Sequence, residues 1–142
     1  MSSTKLGKDD YPLAEKQPKT VIGARNKNLD ELTMDAVMDG RITMEDLRIT
    51  PRALEQQAQI SRSVGRVELA ENFERAAEMA RIPQEQIMRI YELLRPGRSE
   101  SKDTLLKEAD LLRNEYDASL LAAFVEKAAI LYDRRGLFNK RF

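Results

Sequence analysis

The densest group of side chains that could do chemistry combines glutamates with arginines. Its members are Glu68, Glu71, Glu74, Glu78, Arg66 and Arg75. Acid–base or metal chemistry requires carboxylates that converge in a cleft. Here Glu71 and Arg75 have the i, i+4 spacing of an ion pair on a helix surface, and so do Glu85 and Arg89. The spacing therefore predicts a charged, solvated helix face rather than a reactive site.

The absence of two residue types limits the kinds of active site that this chain can form. The chain contains no histidine and no cysteine. Because histidine titrates near neutral pH and is the commonest transition-metal ligand, the usual triads, thiolate sites and zinc sites are excluded. The six glycines are all isolated, so no phosphate-binding loop is present. Only carboxylate, lysine or tyrosine chemistry remains, and we predict no catalytic, cofactor-binding or metal-binding residue.

Two short basic segments have more than one interpretation. The turn Arg95-Pro96-Gly97-Arg98 could hold a phosphate, but its guanidinium groups could equally pair with helix carbonyl ends or a partner's carboxylates, which we favour. The tail from Arg134 to Phe142 resembles a small nucleic-acid or membrane patch, yet on a neutral protein a docking tail is the commoner role. Tyr91, Tyr116 and Tyr132 fall on apolar helix faces, which predicts burial with a bonded hydroxyl.

Composition favours one folded unit with a modest core. The chain has 142 residues, 42% hydrophobic and 34% charged, with 6% aromatic residues and no tryptophan. Its formal net charge is +0, so no global field attracts nucleic acid or an anionic membrane. Neither a secretory signal nor a membrane-spanning stretch is visible, since the longest apolar run is Leu120 to Val125. We predict a cytoplasmic protein whose core a partner completes, with no nucleic acid and no membrane as partners.

The pattern of apolar residues predicts an all-α fold. Residues 1–28 lack periodicity and contain Pro12 and Pro18, so we predict an extended N-terminal arm that lies along a surface, followed by a helical domain over 29–142. Start and stop signals then predict the helices and turns. These are 33–38, 44–47, 51–64, 67–80, 83–94 and a stretch from Ser99 or Ser101 to about Arg135. The last is either one long helix or two helices with a bend near Asp117.

Several segments, read in order, are distinctive. They are Asp10-Tyr11-Pro12-Leu13-Ala14, Leu47-Arg48-Ile49-Thr50-Pro51, Gln57-Ala58-Gln59-Ile60, Asn72-Phe73-Glu74-Arg75-Ala76-Ala77-Glu78, Ile90-Tyr91 leading to Leu94-Arg95-Pro96, Arg98-Ser99, and Ala122-Ala123-Phe124-Val125 with Tyr132. From Asp10 to about Arg135 the chain resembles the small (gamma) subunit of adenosylcobalamin-dependent diol and glycerol dehydratases.

The resemblance implies an assembly of large (alpha), medium (beta) and small subunits, usually a dimer of heterotrimers. In that family an adenosyl radical dehydrates a 1,2-diol or glycerol to an aldehyde. The large subunit binds the substrate, cobalamin lies between the large and medium subunits, and the small subunit supplies no catalytic residue. The implied role is to wrap and stabilise the large subunit. Our candidate partner contacts are Tyr11, Pro12, Leu13, Arg95 and Arg98.

Some features leave the substrate and the compartment open. Gly97 replaces an aromatic residue usual in the family, and the short segment before Asp10 favours a glycerol-type enzyme or one outside a bacterial microcompartment. Ile49-Thr50-Pro51 and Gly65-Arg66 favour the diol type. The alternatives are a glycerol-specific small subunit and a free-standing helical adaptor or nucleic-acid-associated protein. An independent carboxylate enzyme ranks last.

Overall fold

The computed structural model describes residues 5–138, and within that range it contains seven α-helices and no β-strand. The helices are α1 (Leu13–Lys16), α2 (Met34–Met38), α3 (Pro51–Ser63), α4 (Val67–Met79), α5 (Gln84–Leu94), α6 (Lys102–Tyr116) and α7 (Ser119–Arg134). Short 3-10 turns lie at Lys8–Asp10, Pro18–Thr20, Leu29–Glu31 and Met44–Leu47. The predicted all-α class is confirmed.

The chain divides into two compact units between Ala77 and Glu78. The described part of the predicted arm, residues 5–28, belongs to the first unit together with α2 and α3. It is not extended, because three short helical turns satisfy its backbone locally. The backbone N–H of Leu6 also donates to the Oε1 of Gln59 on α3 at 3.1 Å. The segment therefore lies on its own unit.

Helix starts in the structure agree with the signals in the sequence. The hydroxyls of Thr33, Thr50 and Ser101 accept hydrogen bonds from backbone N–H groups in the first turns of α2, α3 and α6, at 3.2, 3.1 and 3.3 Å. After α3 the chain turns at Gly65, whose φ of +77° lies in the left-handed region that glycine adopts without strain. These predicted boundaries are confirmed.

The long C-terminal stretch is two helices. Asp117 has a left-handed φ of +51° and ends α6, and the backbone N–H of Ala118 closes the turn on the carbonyl of Leu112 at 3.0 Å. The α6–α7 hairpin supplies most of the second unit's core. Leu105, Leu112 and Val125 are its largest fully buried side chains.

Glu78 caps the start of α7. The residue before that helix, Ala118, has no side chain able to accept a hydrogen bond. The carboxylate of Glu78 instead accepts from the backbone N–H groups of Leu120 and Leu121, at 3.0 and 2.7 Å. A negative group at this position satisfies unpaired donors and complements the positive end of the helix dipole. A side chain far away in sequence thus does the work of a local cap.

An ion pair between an exposed arginine and a buried aspartate holds the loops of the first unit. The guanidinium of Arg25 donates to both carboxylate oxygens of Asp46, at 2.8 and 2.5 Å, and to the carbonyl of Arg41 at 2.9 Å. Asp46 also accepts from the backbone N–H of Thr43 at 2.8 Å. Gly23 lets the chain approach closely, because a Cβ there would lie 3.1 Å from the carbonyl oxygen of Asp46. The hydrogen bonds from Arg25, and then that from Thr43, lower the pKa of Asp46 to about 2.

We predict that Glu78→Ala destabilises the protein by about 1 kcal/mol, because α7 loses the acceptor for two of its first N–H groups. Urea unfolding measures the loss, and hydrogen exchange at the amides of Leu120 and Leu121 should accelerate. Glu71→Ala is the matched control, since Glu71 is exposed on the same helix and has no bonding partner among residues 5–138. Equal losses in both variants would contradict the capping role.

We also predict a pH-dependent contribution from Asp46. Its folded pKa of about 2 lies below the ordinary value of 3.8, so its stabilisation is complete above the ordinary value and disappears as the pH falls toward 2. Urea unfolding of the wild type and of Asp46→Asn should therefore show a difference in free energy that is largest above about pH 4 and shrinks below it. A difference that stays constant from pH 5 to about pH 2 would count against the pair.

Candidate subunit interface

The glutamates of the acidic cluster do not converge on one point. Glu74 pairs with Arg62 at 2.7 Å and so links α3 to α4, while Glu78 caps α7. Among residues 5–138, no group of three or more acidic side chains is arranged to hold a metal ion. The cluster therefore offers structural ion pairs and a helix cap.

A buried carboxylate in the second unit, that of Glu108, also links two helices instead of forming a reactive site. Glu108 on α6 is buried; one of its oxygens forms an ion pair with Arg89 at 2.6 Å, and the other accepts a hydrogen bond from Gln86 at 2.8 Å, both on α5. The prediction that Arg89 pairs with Glu85 is wrong, because tertiary packing brings α6 within its reach. Since every oxygen of Glu108 has a partner, this charge joins two helices.

The three tyrosines on apolar helix faces differ in exposure, because two are partly buried and one is exposed. The hydroxyl of Tyr132 donates to the carbonyl of Leu94, and its ring lies 6.2 Å from that of Phe138. Tyr116 is half-buried against the core of the second unit. Both side chains are therefore partly buried, and the predicted bond of a tyrosine hydroxyl is confirmed for Tyr132. For Tyr91 the predicted burial is wrong, because 58% of that residue is exposed.

Exposed apolar side chains concentrate in one segment of the first unit. We call this set the methionine-rich surface. Its members are Met34, Val37, Met38, Met44, Leu47 and Ile49. The three methionines are 75%, 80% and 79% exposed. Methionine is enriched at protein interfaces, and its unbranched thioether adapts to an irregular partner.

Local structure explains this exposure. Helix α2 and the 3-10 turn at Met44–Leu47 are each about one turn long, so each buries little more than one residue. Ala36 and the neighbouring Ile42 are buried, and the other apolar side chains of the segment face solvent. The cap at Thr33 and the Arg25–Asp46 pair fix the backbone that carries them. The methionine-rich surface is therefore carried by a segment whose backbone is fixed by these hydrogen bonds.

The second unit has an exposed apolar stripe of its own. It consists of Met88 and Tyr91 on α5 and Leu120, Phe124, Ile130 and Leu131 on α7. The opposite face of α7 is buried in the core, through Leu121, Ala122, Val125 and Ala129. Within residues 5–138, each unit thus exposes several large apolar side chains to a substantial degree.

The predicted partner contacts fall in different units and differ in accessibility. Tyr11 is 55% exposed and Pro12 is half-buried, whereas Leu13 is only 6% exposed and packs within its own chain. In the second unit Arg95 is exposed and pairs with Glu92 at 3.1 Å, and Arg98 is exposed in the following turn. The methionine-rich surface was not predicted. Its signal was six large apolar residues carried by elements too short to bury them.

The remaining predictions on membranes and the basic tail are tested only in part. No helix within residues 5–138 is long and apolar enough to cross a membrane. Of the basic tail, residues 139–142 lie outside the described range, and Phe138 packs against the core of the second unit.

Comparison with known proteins places the chain in a family. Residues 6–139 match the family described as dehydratase small subunit. The chain is 50% identical over 126 residues to a propanediol dehydratase small subunit of Citrobacter freundii, which covers 89% of this chain and 73% of the relative. It is also 50% identical over 126 residues to the protein of that name from Salmonella typhimurium, covering 89% of this chain and 72% of the relative. These matches extend over nearly the whole chain, and it belongs to the dehydratase small-subunit family.

Proposed function

We propose that this chain is the small, non-catalytic subunit of a propanediol dehydratase, and that it attaches to the larger subunits through the methionine-rich surface. The complex converts a 1,2-diol to an aldehyde, with the chemistry carried by the large subunit. The observation that supports attachment is the run of exposed apolar side chains from Met34 to Ile49. Burying them against a partner removes apolar area from water at about 25 cal/mol per Å².

The proposed partners are the large and medium subunits, in a dimer of heterotrimers. Support comes from the name of the relatives, since a small subunit presupposes larger ones. The two exposed apolar surfaces, one in each unit, provide area for more than one contact. Tyr11, Pro12, Arg95 and Arg98 are proposed as further contacts with these partners. Leu13 would act indirectly, by fixing the turn that carries Tyr11.

Adenosylcobalamin is proposed to bind to the other subunits, because the residues of this chain do not fit it. A corrinoid is a large, flat ligand that requires an enclosing cleft, and this chain has no histidine to coordinate cobalt. A groove of about 330 Å³ in the first unit is open, and so is a depression of about 670 Å³ lined by Pro18, Lys19, Asn28, Leu29 and Asp30. No step of the radical reaction is assigned to this chain.

Co-expression tests the function. We expect the chain to purify with its large and medium subunits as one complex that converts 1,2-propanediol to an aldehyde when adenosylcobalamin is added. Omitting this chain should lower the yield of assembled, active enzyme, because the large subunit loses a contact that stabilises it. Native mass measurement gives the stoichiometry. Full assembly and activity without the chain, or turnover by the isolated chain, would overturn the proposal.

Substitutions in the methionine-rich surface test the mode of attachment. Met38→Glu and Met44→Glu should each weaken binding to the larger subunits about tenfold or more, or by about 1.4 kcal/mol, because a charge would enter an apolar contact. Met38→Leu and Met44→Leu are matched controls that keep the apolar contact and should bind like the wild type. Circular dichroism checks that all four variants fold. If the glutamate variants bind normally, the partner attaches elsewhere.

A further inference from the structure

A groove in the first unit combines an apolar floor with two cations on its rim. Its volume is about 330 Å³. The lining residues include Ile60 and Val64 from α3 and Leu69 and Phe73 from α4. Lys8, Tyr11, Gln57, Ser61 and Arg66 add polar atoms. The groove does not belong to the methionine-rich surface, and Tyr11 is the one predicted contact residue that lines it.

The two cations of the groove have no carboxylate partner of their own. Lys8 and Arg66 are exposed, and neither forms an ion pair within residues 5–138. Of the two acids that follow Lys8, Asp9 does not line the groove, and the carboxylate of Asp10 accepts from the backbone of Gly7 and from Gln17, both at 2.9 Å. Among residues 5–138, no carboxylate lines the groove. Its rim therefore carries positive charge above an apolar floor.

We propose that this groove receives an acidic segment of a larger dehydratase subunit, with a carboxylate facing Lys8 and Arg66 and a neighbouring apolar side chain on the floor. The inference rests on the proposed function and adds a second, electrostatic point of attachment to it. A charge-assisted hydrogen bond from a guanidinium to a carboxylate is stronger than a neutral one and fixes orientation. Desolvation of the apolar floor adds to it. The two attachment points have different roles. The methionines supply apolar contact area, and the charges of the groove fix the orientation of the partner.

Charge reversal in the full complex tests the groove. We expect Lys8→Glu and Arg66→Glu each to weaken binding of the full-length chain to its co-expressed larger subunits about tenfold or more, since a like charge would face the partner's carboxylate. Arg52→Glu is the matched control, because Arg52 is exposed on α3 and does not line the groove. Raising the salt concentration should weaken the wild type more than the Arg66→Glu variant. All variants alter exposed residues, and circular dichroism confirms their folding.

A photo-crosslinker identifies the occupant. With p-benzoylphenylalanine in place of Leu69, we expect the main adduct in the assembled complex to be a peptide of a larger subunit that contains aspartate or glutamate beside an apolar residue. An adduct with a second copy of this chain, or with a peptide that has no acid, overturns the inference. If the wild type assembles and both charge reversals bind like Arg52→Glu, the groove inference fails while the proposed function stands. If the wild type forms no complex, both fail.

Discussion

The hydrogen-bonded ion pair between Arg25 and Asp46 is the constraint on which the first unit's exposed surface depends. Asp46 is buried, so its charge is stable there only because Arg25 and the backbone of Thr43 satisfy it. The pair joins the loop around Gly23 to the 3-10 turn that carries Met44 and Leu47. Without it, elements one turn long would have little to hold them, since isolated short helices are unstable in water. A polar interaction thus holds an apolar surface in place.

The two units differ in the size of the side chains that they bury. The second unit closes a long hairpin, α6 with α7, over side chains such as Leu105, Leu112 and Val125 that are fully buried. The first unit buries alanines such as Ala36, Ala58 and Ala70 beside a few larger residues, and it leaves many of its other large apolar side chains exposed. Small buried residues contribute little hydrophobic free energy, because that free energy scales with the area removed from water. A partner that covers its exposed side chains would therefore add to the burial of the first unit.

This distribution suits a subunit that works by contact. Every acidic side chain of the glutamate cluster that has a described partner serves structure, as Glu74 does with Arg62 and Glu78 does at α7. The exposed methionines are adaptable and carry no directional bonds, whereas the groove beside Tyr11 carries charge and shape. An interface needs both properties, since apolar area gives affinity and placed charges give orientation. Membership of the dehydratase small-subunit family agrees with such a division of labour.

The sequence alone determined the α-class, the helix boundaries and the lack of histidine and cysteine chemistry, because these depend on local signals such as the caps at Thr33, Thr50 and Ser101. Its ordered motifs also indicated the family. Only the tertiary structure decided which partner each charge takes. In the structure Arg89 pairs with Glu108 instead of Glu85, and Glu78 caps the start of α7. Tyr91 is exposed to solvent. The structure also showed that the N-terminal segment coils onto its own unit and that the methionines stay uncovered. These outcomes depend on which helices pack together. The periodicity of apolar residues predicts the helices themselves, but it does not tell which helices lie next to each other.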